Sequence, residues 1–106
     1  MKEYIQIITT TDTKESAEKI ANALVQNRLA ACVQIIGPMT SVYWWEKKVE
    51  KATEWSCIVK TRKDLYKTVE STIRLNHTYE IPEILAVPVI EGSESYISWL
   101  DKELRK

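Results

Sequence analysis

The sequence predicts an α+β fold of βαββαβ order, with a long hairpin arm between the second and third strands and a C-terminal helix. Segments rich in Val, Ile, Tyr, Trp and Thr alternate with segments whose apolar residues recur every three or four positions, the pattern of strands alternating with amphipathic helices. A polar cluster at residues 46–51 separates two β-rich halves and indicates the hairpin. Together these observations predict a sheet with helices packed on it.

Length and composition predict one ordered domain, residues 1–106, because 44% of the residues are hydrophobic and only two are Gly. Fifteen basic and fifteen acidic residues cancel, so we expect neither a nucleic acid nor an anionic membrane as a partner. No apolar run approaches the roughly 20 residues of a membrane span, and the first residues lack the apolar core of a signal peptide. A cytoplasmic protein is expected.

The first strand and helix are predicted from residues 4–27. The β-branched run at residues 4–10 is apolar on both faces, so it is predicted to be a central strand. Asp12 stands three residues before Glu15, a spacing typical of a helix cap. The helix is expected to end near Asn27. Its predicted buried face consists of Ala17, Ile20, Ala21, Leu24 and Val25.

The arm, residues 29–61, is the longest predicted element. Gly37-Pro38 is expected to interrupt its first strand, because Pro donates no ladder hydrogen bond and Gly in a strand marks a bulge. This leaves an inner piece at residues 30–36 and an outer piece at residues 41–46, with a turn centred near Lys47-Lys48.

The outer arm is apolar on both faces. Alternation directs Tyr43 and Trp45 to one face and Val42 and Trp44 to the other, with Trp55 nearby on the returning strand. Because a ribbon in water is apolar on one face at most, another chain is expected to cover these side chains. The predicted oligomer interface therefore consists of Tyr43, Trp44, Trp45 and Trp55.

Cys32 and Cys57 are predicted to be free thiols in a reducing compartment. A turn near Lys47-Lys48 would set Cys57 opposite about Pro38, roughly 20 Å from Cys32. This separation exceeds the roughly 7 Å Cα limit for a disulfide.

The second half repeats the strand and helix pattern. Thr61 and Asp64 have capping spacing before a helix whose inner face is formed by Leu65, Val69 and Ile73. Pro82 ends this segment, and residues 84–90 form the last strand. Pro88 predicts that this strand lies at a sheet edge or contains a bulge. Gly92-Ser93 opens the final helix. The order predicts a ferredoxin-like sandwich with both main helices on one sheet face, which leaves the other face bare and in need of a partner. The final helix presents Tyr96, Ile97, Leu100 and Leu104.

Five segments in this order resemble the CutA family of divalent-cation tolerance proteins: LAACVQI, SVYWWE, IVKTR, HTYEIPEI and YISWL. The resemblance covers residues 9–100 and implies a ferredoxin-like homotrimer whose arms embrace neighbouring subunits, similar in architecture to the PII signalling proteins. It also implies a role in tolerance of divalent metals, with copper as a possible ligand, and no established catalytic reaction.

Several positions depart from the family pattern. Lys47 replaces the usual Gly of the hairpin turn, and Thr78 replaces the usual Pro after the motif His. At two positions where some members carry a Cys and a second His, this chain has Thr9 and Asn76. Of the family's ligand positions, only His77 is retained.

His77 is the only histidine, with Glu80 and Glu83 close in sequence. Imidazole and carboxylates bind copper or zinc, but such sites need three or four ligands. A subunit seam would have to add Cys32 or carboxylates from a neighbour, so the candidate metal ligands are His77, Cys32 and Glu83. The alternative is that His77 hydrogen-bonds a carboxylate and fixes its loop.

Lys60 shares a strand face with Ile58, so its ammonium would bind an anionic ligand, pair with Glu83 or extend along apolar surface. Tyr79 and Tyr43 would line the same intersubunit cleft as Lys60, or serve interface packing.

No enzyme is expected, because neither a nucleophile-base pair nor a phosphate-binding loop is evident. Three hypotheses remain: a metal-tolerance trimer, a small-molecule sensor with intersubunit clefts, and a structural or interaction trimer.

Overall fold

The structure, a computed structural model, describes residues 2–106. The predicted domain range of 1–106 also includes Met1, which lies outside the described residues. The predicted α+β, ferredoxin-like order is confirmed. Its elements are β1 (Tyr4–Thr11), α1 (Lys14–Gln26), β2 (Cys32–Trp45), β3 (Lys48–Arg62), a 3-10 turn (Lys63–Leu65), α2 (Tyr66–Asn76), β4 (Ile84–Val89) and α3 (Glu94–Glu103).

The four strands form one antiparallel sheet in the order β2-β3-β1-β4. The run at residues 4–11 is central, as its apolar character on both faces predicts. β4 is an edge strand, so Pro88 needs no partner on its outer side, which confirms the prediction made from this proline.

One face of the sheet packs against α1 and α2 to form the core. On α1, Ala17, Ile20 and Leu24 are fully buried, whereas Val25, predicted to be on the same face, is 42% exposed. Leu65, Val69 and Ile73 are buried as predicted. The core is one cluster because alternate residues of β1 and β3 meet these helix faces. Its main members are Ile5, Ile7, Ile20, Leu24, Leu29, Val59, Leu65, Val69, Ile73, Leu100 and Leu104.

Two predicted helix caps are wrong. The cap of α1 is Thr13, whose hydroxyl accepts a hydrogen bond from the Ser16 amide at 3.0 Å, rather than Asp12. Thr61 is fully buried in β3 and donates its hydroxyl to the Leu29 carbonyl at 2.6 Å, so it is not a cap. The Thr61 hydroxyl instead links the segment before β2 to β3.

The hairpin contains a bulge and a tight turn. Gly37 and Pro38 together oppose Trp55 alone, which confirms the predicted interruption. The turn is Glu46-Lys47, with φ of 48° and 67°, one position earlier than predicted.

The earlier turn and the extra residue in β2 correct the predicted pairing of the cysteines. Cys57 lies opposite Ile35, not Pro38. Cys57 is three residues along β3 from Lys60, the residue opposite Cys32, so the two cysteines are about 10 Å apart along the strands. Both thiols are free.

The opposite side of the sheet, called the open face, is only partly bare. It carries Ile8, Ile58, Leu85 and Val87 at aligned register positions. The expectation of an entirely bare face is wrong, because α3 folds over one end of it. Asp101 on α3 accepts hydrogen bonds from the Tyr4 hydroxyl at 2.9 Å and from Arg62 at 3.2 Å.

Candidate functional site

His77 is fixed within its own chain by both ring nitrogens. It follows the last residue of α2 in an extended conformation. The Tyr79 amide donates to Nδ1 at 3.1 Å, so the ring proton resides on Nε2, which donates to the Thr10 carbonyl at 2.8 Å. The imidazole therefore joins the 77–79 loop to the end of β1.

Tyr79 continues this chain of contacts to the arm. Its ring lies 4.9 Å from the His77 ring, and its hydroxyl donates to a Glu54 carboxylate oxygen at 2.7 Å. Burial, and secondly this hydrogen bond, raises the pKa of Tyr79, so the phenol remains a donor at neutral pH. Glu54 is only 7% exposed.

An open groove of about 680 Å³, called the groove below, separates the outer arm from the loop after α2. Its lining includes three aromatic rings and three carboxylates, together with the smaller residues Thr10, Ser41, Val42, Thr78 and Ile81. The aromatic and acidic residues of the lining are Tyr43, Trp45, Glu54, Tyr79, Glu80 and Glu83.

The predicted metal ligands do not meet within one copy. Cys32 lies opposite Lys60, which in turn pairs with Gln6 of β1. His77 contacts the carbonyl of Thr10, four residues further along β1. Cys32 and this contact are therefore about 13 Å apart along the strand direction. Across residues 2–106, no group of three or more His, Cys, Asp or Glu side chains has the arrangement to hold an ion. Because both ring nitrogens of His77 are also engaged, the residues of a single chain do not fit a metal centre.

Lys60 lies apart from the tyrosines with which it was predicted to share a cleft. Its register position is on the open face, and its ammonium lies 5.4 Å from the centre of the Tyr96 ring. The alternative ion pair with Glu83 is not among the salt bridges of the described chain. Tyr43 and Tyr79, in contrast, do line one groove.

The aromatic residues predicted at the interface differ in exposure. Trp44 is 73% exposed, and Tyr43 and Trp45 are about 40% exposed. Trp55 is half-buried because its ring packs directly over Gly37.

Two site residues, Glu54 and Thr10, were missed in the sequence. Glu54 has no distinctive signal in the sequence, because its strand also carries other charged residues, Glu50 and Lys51 close by among them. Thr10 acts through its backbone carbonyl, for which side-chain identity gives no signal.

The comparisons with known proteins identify the family. The CutA1 divalent ion tolerance protein family matches residues 5–103. The chain belongs to this family. The family description names tolerance of divalent ions and no reaction. Across residues 2–106, none of the helices has the length and apolar character needed to cross a bilayer.

Curated CutA proteins match along nearly the whole chain. A divalent-cation tolerance protein CutA of Archaeoglobus fulgidus is 41% identical over 96 residues, which is 91% of this chain and 93% of that protein. The chloroplastic CutA of Arabidopsis thaliana is 40% identical over 95% of this chain. The chain spans only 56% of the length of the Arabidopsis protein and 58% of that of the rice protein CutA 1.

Solved CutA1 structures share the fold. The Oryza sativa protein superposes with a TM-score of 0.95 at 36% identity, covering 98% of this chain and 95% of its own. The Thermus thermophilus protein gives a TM-score of 0.92, also at 36% identity, and covers 99% and 100% of the two chains.

Proposed function

We propose that this chain is a homotrimeric CutA-type protein that serves tolerance of divalent metal ions, copper among them, by binding rather than by catalysis. The proposal includes a cytoplasmic location, supported by the free Cys32 and Cys57 thiols. Relatives are named chloroplastic in Arabidopsis and periplasmic in Archaeoglobus, and those names describe those proteins.

The observation that supports assembly most strongly is the exposed apolar surface of the outer arm, residues 39–54. Trp44 and Val49 are cross-strand neighbours, 73% and 60% exposed, and Val42 beside them is 63% exposed. A Trp side chain removes roughly 150–250 Å² from water when it is buried. Contiguous apolar patches of this kind are typical of protein interfaces.

The proposed contact joins two different surfaces. The outer arm projects from one end of the sheet, whereas Leu85 and Val87 of the open face are 59% and 45% exposed in the sheet itself. An arm that packs on the open face of the next copy makes a head-to-tail contact, and such contacts form a ring when the rotation between copies closes. The resemblance to CutA proteins implies that this ring has three members.

Sedimentation velocity tests the assembly. Trp44→Lys combined with Val49→Lys places two charges on the proposed contact, so we expect this variant to lose the trimer mass. The matched control is Leu75→Lys, which charges an 85% exposed apolar residue on α2 and should leave the mass unchanged. A trimer that survives the arm double variant contradicts the proposed contact.

Any copper site in this proposal lies at a subunit seam, where Cys32 of one copy would meet His77 and Glu83 of another. His77 would exchange one of its two ring hydrogen bonds for the metal. The separation of about 13 Å along the strands within one copy supports a seam rather than a single-chain site. Cu(II) titration of the trimer should give weaker binding for His77→Ala and for Cys32→Ala. Cys57→Ala is the control, because burial raises the pKa of the Cys57 thiol to about 11 and disfavours its metal-binding thiolate. Equal copper affinity in all four proteins would rule out the seam.

The groove favours a second candidate function, that of a small-molecule sensor. Its volume of about 680 Å³ lies within the usual range of ligand pockets, roughly 300–1,000 Å³. A thermal-shift screen of nucleotides, amines and organic acids tests it, because any ligand of the native state raises the melting temperature. The absence of every shift at millimolar concentration would count against the sensor.

A further inference from the structure

We propose that the groove binds a small aliphatic ammonium cation. The inference rests on the sensor hypothesis and shares Glu83 with the proposed copper seam, whereas the two other seam residues, Cys32 and His77, do not line the groove. It depends on the juxtaposition of a buried carboxylate, two further carboxylates and three aromatic rings along one cavity of the chain. These groups are Glu54, Glu80 and Glu83, with Tyr43, Trp45 and Tyr79.

The charge of the groove differs from that of the whole chain. Basic and acidic residues balance at 15 each over the sequence. The groove lining has Glu54, Glu80 and Glu83 but no Lys, Arg or His. Acidic walls of this kind concentrate cations and repel anions. The groove therefore selects for positive charge.

Glu54 adds a specific point of attraction. It is more than nine-tenths buried, and in residues 2–106 no cationic nitrogen lies within salt-bridge distance of it. Tyr79 satisfies one carboxylate oxygen, Oε2, and the described side chains offer Oε1 no hydrogen bond. In residues 2–106, Thr9 Oγ1 is the one buried side-chain atom without a hydrogen-bond partner, so Glu54 Oε1 stays open to solvent and to a ligand. A bound ammonium would supply both the charge and the missing hydrogen-bond donor.

The aromatic walls suit an organic cation better than an anion. Tyr43 and Trp45 come from the outer arm and Tyr79 from the facing loop. The faces of such rings attract ammonium groups within about 6 Å. The chain already makes this contact elsewhere, because the Lys60 ammonium lies 5.4 Å from the Tyr96 ring centre.

The geometry distinguishes an organic cation from a metal ion. A divalent ion needs several oxygens at about 2.0–2.6 Å. The carboxylates of the groove do not form such a group in the described chain. A groove of about 680 Å³ with separated carboxylates instead matches an extended cation whose ammonium groups are spaced along a carbon chain.

Calorimetric titration of the full chain tests the proposal with two probes of equal length. Butane-1,4-diammonium carries two charges, and butane-1,4-diol has the same carbon chain without them. We expect saturable binding of the diammonium that weakens as salt is raised, and no measurable binding of the diol. Equal binding of the two probes, or failure of the diammonium to bind, overturns the proposal.

Variants locate the site. Glu54→Gln retains the shape of the side chain and an acceptor for Tyr79, and should weaken diammonium binding by at least about tenfold. Trp45→Leu should weaken it by a smaller factor. Glu18→Gln, an equal charge change on the exposed surface of α1, should leave it unchanged.

Unchanged affinity in both groove variants contradicts the assignment. The mass of each variant, measured in parallel by sedimentation, separates this outcome from a failure of the proposed trimer. Copper titration of Cys32→Ala likewise reports on the seam alone, because Cys32 does not line the groove.

Discussion

Replacement of Gly37 by Ala should destabilise the chain at the root of the arm. Gly37 does not have a positive φ, so the backbone itself would tolerate a side chain. The obstacle is space, because a Cβ added there would clash with Trp55 Cδ1 and would lie 2.7 Å from Cγ and 2.9 Å from Nε1. All three atoms belong to one rigid ring.

The distances set the size of the effect. Ordinary carbon contacts begin near 3.4 Å, so the ring or the strand must shift by about 1 Å. Overpacking of this kind costs about 1–3 kcal/mol. Since the indole cannot bend, we expect about 2 kcal/mol per chain in the free energy of unfolding, measured by guanidinium denaturation.

Two controls separate this clash from a general loss of glycine. At Gly92 an added Cβ would lie 2.8 Å from the flexible Ile97 side chain, so Gly92→Ala should cost less, under about 1 kcal/mol. In a Trp55→Leu background, the cost of Gly37→Ala should fall by more than half. An equal cost in both backgrounds would refute the reasoning.

Three further predictions concern the turn, the core and the C-terminal helix. The double variant Glu46→Asn, Lys47→Gly should raise the free energy of unfolding by about 1 kcal/mol. Both residues have left-handed φ values, which Asn and Gly adopt more readily in hairpin turns. Unchanged stability would argue against backbone strain at this turn. Thr9→Val should stabilise by about 1 kcal/mol in urea denaturation, because the buried Thr9 hydroxyl is without a partner in residues 2–106; a loss of stability would contradict this. Hydrogen bonds, led by that from Lys2, lower the pKa of Asp101 from 3.8 to about 2. The contribution of Asp101 to the free energy of unfolding is therefore complete above about pH 4 and is lost as the pH falls toward 2. Unfolding measured across this range should therefore be less pH-dependent in Asp101→Asn, and identical slopes would exclude the effect.

The order of elements could be predicted because local chemistry and tertiary packing agree in this chain. The β-branched run at residues 4–10 is central, Pro88 lies on an edge strand, and Ser93 begins α3 by accepting from the Tyr96 amide. Gly37-Pro38 interrupts β2 at the predicted place. Each of these features is decided by a few neighbouring residues.

Errors arose where several residues competed for one role. Asp12 and Thr13 both suit a cap, and the Thr13 hydroxyl makes the hydrogen bond. Thr61 has capping chemistry but lies on the buried face of β3, so burial decides its partner. Capping spacing alone does not distinguish these cases.

The candidate site was only partly predictable. The sequence predicts one cleft with Lys60, Tyr79 and Tyr43, and a separate set of metal ligands with His77, Cys32 and Glu83. Of these six residues, Tyr43, Tyr79 and Glu83 line the groove, and the other three do not. The contact between Tyr79 and Glu54 joins residues 25 positions apart, so no local pattern contains it. The engagement of both His77 nitrogens likewise depends on the fold, because one partner is a backbone carbonyl of β1.

The mass of the wild-type chain in dilute solution tests the central claim most directly. Sedimentation equilibrium down to nanomolar concentration should give three times the 12.3 kDa chain mass. Tryptophan emission should remain blue-shifted throughout, because copies of the chain cover the outer arm. A folded 12.3 kDa monomer with the same blue-shifted emission would contradict the account.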